Sequence, residues 1–292
     1  MAFRVEGWYR RCVEQIDGDF GRVRTIDANA AAVHLEKLAK RDRGVAAVAL
    51  ALLTVLAWVY LFQMSAATRG AATEAEMHGA MGMAGMNGWG PSDVAALFVM
   101  WVVMMAGMML PSAAPMILLV AGTHRRQGGP YAQTRTAAFA GGYLVAWIEF
   151  SLAAALAQAA LHAGALMSSS METQSPRISG VIFLAAGVYQ WSPLKHLCLA
   201  RCRSPVHFVS EHWREGISGA FTLGLQHGLF CIGCCWVLMA LLFAAGVMNL
   251  AWVAAIGGLV LVEKILKHGR AAGRVAGVAF AVWGLYLLTL AA

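Results

Sequence analysis

Hydrophobic residues in this chain run in long blocks rather than in short alternations. Seven blocks, at 44–64, 94–120, 137–161, 178–194, 217–247, 249–266 and 275–291, are nearly free of charge. A hydrocarbon core about 30 Å thick is crossed by about 20 apolar helical residues. The pattern therefore predicts an all-α, polytopic membrane protein with seven transmembrane helices. The blocks at 94–120 and 217–247 exceed one crossing and predict interfacial turns or a bend.

The polar intervals set an orientation, because Lys and Arg are retained on the cytoplasmic side during insertion. With the N-terminus inside, 20 of the 22 Lys and Arg residues fall on cytoplasmic segments, leaving only Arg69 and Arg177 outside. The expected topology is N-in, C-out. Residues 1–43 are too long and too mixed in charge for a signal peptide, so the first block is expected to stay as an anchor. Within 1–43, the stretch 28–40 puts Ala32, Val33, Leu35 and Leu38 near one face, as in a helix lying on lipid. The domain reading is a cytoplasmic segment, 1–43, and a membrane domain, 44–292, carrying an outer loop at 65–93.

Composition agrees with that class: 60% of the 292 residues are hydrophobic and 13% charged, with mean hydropathy +0.64. A net charge of +7 belongs to topology and lipid headgroups, and nucleic acid is not implied. Of six cysteines, none lies in a predicted outer loop, so no disulfide framework is expected.

Sulfur and imidazole supply the candidate chemistry. Cys231, Cys234 and Cys235 sit in an apolar block with His227 one turn earlier, and at 100° per residue the four fall within an arc of roughly 100°. Such a face can present soft ligands to one ion. The outer loop carries Met77, His78, Met81, Met83 and Met86 among Gly and Ala, and thioethers bind Cu(I) without deprotonation. Met100, Met104 and Met108 follow at i, i+4 and i+8. Those three methionines also suit plain helix packing, since Met fills irregular gaps.

Counting about 1.5 Å per residue from position 94 puts Met100, Met104 and Met108 roughly 9, 15 and 21 Å below the outer edge. The same count from 217 places Cys231 to Cys235 in the outer half of the bilayer. A path for an ion from the loop, down the methionines, to the thiols follows if the two helices are neighbours. Gly219, Gly224, Gly228 and Gly233 would permit a close approach to the thiol helix. Cys198 and Cys202, with His196 nearby, form a separate station at the cytoplasmic face, as metal ligands, redox thiols or ordinary interfacial cysteines. Glu149 is placed near mid-membrane with His227 as its most obvious partner, and Glu263 is read as an interfacial ion pair with its neighbour Lys264.

Several ordered blocks carry a resemblance. They include Met100-Trp101, Met108-Met109-Leu110-Pro111-Ser112 with Pro115-Met116, and Gly142-Tyr143 with Trp147. Further along come Tyr189-Gln190, Pro193-Leu194-Lys195, Cys198, Cys202-Arg203-Ser204-Pro205, Gly224, Cys231, Gly233-Cys234-Cys235-Trp236, Met239, Met248-Asn249-Leu250 and Glu263-Lys264. Over about 94–266 the chain resembles a bacterial family of predicted metal-binding integral membrane proteins linked with copper-chaperone roles. It departs locally at Gly107, where the family pattern carries Ala.

The resemblance implies copper handling without fixing a reaction. The leading expectation is a non-enzymatic carrier that binds Cu(I) through Met, Cys and His and passes it to a copper-requiring membrane or periplasmic metalloprotein, with zinc or another soft or borderline metal as competitor. No phosphate-cradling G-x-x-x-x-G-K-[ST] run exists to drive pumping. Two other readings stand beside it: an accessory scaffold of a membrane metalloenzyme complex, and a membrane thiol–disulfide oxidoreductase.

Overall fold

The computed structural model describes residues 44–67, 91–126, 131–163 and 175–290. The segment 1–43 and the Met/His loop, with Met77, His78, Met81, Met83 and Met86, lie outside the described residues. Among the described residues there are nine helices and no strand. They are α1 (Gly44–Ala67), α2 (Pro91–Arg126), α3 (Ala132–Ala163), α4 (Pro176–Tyr189), α5 (Pro193–Arg203), α6 (Pro205–His212), α7 (Gly216–Ala245), α8 (Leu250–Ile265) and α9 (Gly269–Leu290).

Five of these, α1, α2, α3, α7 and α9, are long and apolar enough to cross a membrane. Of the seven expected spans, five coincide with helices of crossing length. With 14 residues α4 reaches about 21 Å, and with 16 residues α8 reaches about 24 Å, both short of a 30 Å core.

Local chemistry explains why the fourth block stops early. After Tyr189 the chain turns through Gln190 and Trp191, and the Ser192 hydroxyl caps α5 by accepting the Lys195 backbone N–H at 3.1 Å. Pro193 begins α5, where its missing N–H is harmless. The chain turns there and packs α5 on α7. Gly216 and Gly246 hold φ of +85° and +88° at the two ends of α7, a conformation that L side chains rarely adopt.

Close helix contact rests on glycine in two places. A Cβ on Gly224 would land on the Phe139 carbonyl, and one on Gly142 on the Phe221 carbonyl, so α3 and α7 approach backbone to backbone. Gly187 and Gly277 do the same for α4 and α9. At Gly107 a Cβ would press to 3.1 Å from the Ala57 Cβ, so glycine there eases the packing of α1 on α2.

The core is rich in sulfur. Met100, Met104, Met105, Met108, Met109, Met116 and Met239 share one buried cluster with Cys198, Cys231, Cys234 and Cys235. Outward faces of α1 and α9 show the opposite arrangement, with Leu52, Leu53, Leu56, Val278, Val282 and Trp283 exposed. Such faces suit lipid contact.

Candidate metal centre

The α7 helix positions three thiols by its own repeat. Cys234 and Cys235 follow Cys231 at i+3 and i+4, and both thiols donate to the Cys231 carbonyl, at 3.0 and 2.9 Å. All three side chains are buried. The Cys231 sulfur lies 3.2 Å from the Tyr143 hydroxyl of α3 and accepts from Lys264 Nζ of α8 at 2.8 Å. Lys264 Nζ also donates to Ser112 Oγ of α2 at 3.0 Å. Tyr143 reaches the Met109 carbonyl at 3.2 Å, and Ser112 donates to the same carbonyl at 2.9 Å. Four helices thus meet at one sulfur.

Cys202 of α5 brings a fourth thiol close to that of Cys234. The expectation of a separate station for Cys198 and Cys202 does not hold for Cys202, whose thiol lies beside that of Cys234. Cys198, one turn earlier, is buried near Tyr189, whose hydroxyl donates to the Gly233 carbonyl beside the thiols. Cys202 is half-buried, whereas Cys198, Cys231, Cys234 and Cys235 are buried.

With 30 residues α7 runs about 45 Å, and Cys231 falls at its middle. There it meets Lys264 and lies near Cys202, two residues expected on the cytoplasmic side.

His227 is one turn from Cys231 but sits among aromatic rings. Its imidazole stacks on Tyr143 at 5.7 Å and Phe139 at 6.1 Å, with Phe208 tilted at 5.4 Å. Its Nδ1 is buried and makes no hydrogen bond, which leaves a lone pair or a proton unsatisfied. His196 on α5 is neutral more readily than an ordinary imidazole, because burial and then Arg274, Arg270 and Lys195 push its pKa down.

Both acids lie elsewhere than expected. Glu149 is exposed on α3, on the same outer surface as Ile148 and Leu152, and so turns away from buried His227. Glu263 pairs with Lys195 of α5 at 2.7 Å, while Lys264 turns to Cys231. Adjacent residues on a helix point about 100° apart, so Glu263 and Lys264 serve different neighbours.

The methionines of α2 are all deep in the core. Met108 rests on α8, where a Cβ at Gly257 would sit 3.5 Å from its side chain. Trp101 ties α2 to its neighbours by donating to Gln158 Oε1 at 2.6 Å and packing on Phe243 at 5.2 Å. Among the described residues, no group of three or more His, Cys, Asp or Glu side chains is arranged to hold an ion. The thiols of Cys234 and Cys235 are spent on the Cys231 carbonyl, and a rotation about χ1 is what re-aims them.

Lys264, Tyr143 and Ser112 are the contacts that sequence reasoning missed. A lysine following an apolar run was a signal for the first. Nothing in the spacing of the other two points at Cys231.

A family model described as PpoB2, copper chaperone, matches residues 98–287. That is more than half of the chain, and the chain belongs to this family. No curated protein and no solved structure matches it.

Proposed function

We propose, with membership of a copper-chaperone family as the premise, that this chain is a multi-pass membrane carrier that holds Cu(I) at its thiol cluster and hands it to a metalloprotein. The observation that carries the proposal is the convergence of Cys202 on Cys234, beside Cys231 and Lys264. Thiolate sulfur is the soft donor that selects Cu(I). Cys202, Cys231, Cys234 and Cys235 are the proposed ligands, with His227 one turn below as an alternative nitrogen donor and Cys198 as a reserve thiol.

Charge supports this donor set. Cu(I) between two thiolates carries a net negative charge, which is costly in a low-dielectric interior unless a cation is near. The Lys264 ammonium at Cys231 supplies one. Met100, Met104 and Met108 form the proposed route from the outer side, fed by Met77, His78, Met81, Met83 and Met86. The role is transport by ligand exchange and involves no catalysis, in a bacterial inner membrane with the N-terminus inside.

Competition with a chromophoric Cu(I) chelator tests the reading. Purified protein should take up Cu(I), and joint replacement of Cys231, Cys234 and Cys235 by Ser should abolish uptake. Equal uptake by both proteins would sink it, as would preferential retention of zinc.

The contact between Cys202 and Cys234 also favours a second reading, thiol–disulfide exchange with a partner dithiol, because exchange needs a thiolate that reaches a disulfide sulfur. A mixed disulfide trapped at Cys202 in the absence of copper would support it.

A further inference from the structure

Of the eleven residues of α5, three are buried: Lys195, Cys198 and Leu199. An apolar face that small gives little register to a short helix, since hydrophobic burial is non-directional. Polar contacts with the end of α8 provide the missing direction. Lys195 Nζ donates to both carboxylate oxygens of Glu263, at 2.9 and 2.7 Å, and to Gln190 Oε1. Lys195 and Glu263 are each 1% exposed. Gly273 of α9 faces the carboxylate, and a Cβ there would occupy the space of Glu263 Oε1.

At the other end of α5, Arg203 is the residue after Cys202. Its Nη1 donates to the Glu263 carbonyl, and its Nη2 to the carbonyls of Leu266 and Lys267, at 2.8 and 3.2 Å. Carbonyls at a helix C-terminus have no donors within the helix, so the guanidinium completes α8 while it fastens α5. One turn of α8 therefore grips α5 before and after Cys202, and the neighbouring Lys264 touches Cys231 of α7.

We infer that Lys195, Glu263 and Arg203 are positioning residues that set the Cys202 thiol against Cys234 and so determine whether α5 contributes a sulfur to the metal site. The inference rests on the copper reading for its consequence, and its geometry is tested without copper. Register is the best-attested use of a buried ion pair. A shift of α5 by one residue would turn Cys202 by about 100°.

The test uses the full chain in detergent with its native cysteines. Diamide joins two neighbouring thiols by accepting two electrons and two protons, and peptide mapping then reports the Cys202–Cys234 link. Lys195→Met and Glu263→Gln should each slow formation of that link, with Lys195→Arg restoring it, and the first two should weaken Cu(I) binding by about 10- to 100-fold, the usual effect of losing an outer-shell contact. Helix content and melting temperature are followed in parallel. A folded Lys195→Met protein that forms the link at the wild-type rate would overturn the inference, even if its melting temperature fell. Should the single variants unfold, the charge-swapped pair Lys195→Glu with Glu263→Lys decides, because restored linking supports positioning and a folded protein without it refutes positioning. If wild type forms the link in a Lys195-dependent way but binds no Cu(I), the copper reading fails and the positioning role stands.

Discussion

Lys264 Nζ lies 2.8 Å from the Cys231 sulfur, at a level where α2, α3, α7 and α8 meet. Lys264 is 8% exposed, so the cation is held by side chains rather than by water. Its other partner is Ser112, which belongs to the Met-Leu-Pro-Ser run of α2.

Removing this charge is expected to weaken the metal site without removing a ligand. Lys264→Met should lower Cu(I) affinity by about 10-fold or more, as for other contacts that orient or balance a ligand. Chelator competition checks this, and an unchanged affinity would show that Lys264 has no part in metal binding.

The methionine route predicts a kinetic effect. Replacing Met100, Met104 and Met108 together by Leu keeps core volume and should cost less than about 1.5 kcal/mol per site. Loading of the thiols from the outer face of proteoliposomes should slow, while affinity at equilibrium stays the same. Unaltered loading rates would return these residues to packing alone.

Glycine substitutions should separate tight from open positions. Gly224→Leu collides with the Phe139 backbone and should destabilise the protein by about 1–3 kcal/mol or more, as overpacking does. Gly258 has nothing within 4 Å of a Cβ, so Gly258→Ala should be neutral or gain up to about 1 kcal/mol from helix propensity. Thermal unfolding in detergent measures both.

Glu149 offers a contrasting control. Because it is exposed on α3, Glu149→Gln should leave Cu(I) stoichiometry and affinity unchanged. A marked loss of binding in that variant would place a carboxylate in the metal path and contradict the outward orientation.

Much of the architecture is legible in the pattern of apolar blocks, and five of the seven correspond to helices of crossing length. The thiol face of α7 is equally legible, because Cys231, Cys234 and Cys235 are local to one helix and a fixed rotation per residue relates them. Glu149 shows the limit of that approach: depth along a helix is countable, but the side of the helix that meets the protein is not. His227 was grouped with the thiols by angle, yet its ring is held by Phe139, Tyr143 and Phe208 from other helices.

By itself, then, the sequence determined helix class, the approximate ends of the long helices and the thiols that share one helix face. These follow from hydropathy and from a regular repeat, both of which act between near neighbours in the chain. Only the tertiary structure decided that α5 packs on α7, that Cys202 joins Cys234, and that Lys195 and Lys264 take Glu263 and Cys231 as partners. Those contacts join residues from 32 positions apart, Cys202 with Cys234, to 68, Lys195 with Glu263. They depend on a three-residue turn and on directional polar bonds inside the core, and no one-dimensional measure of apolarity carries that information.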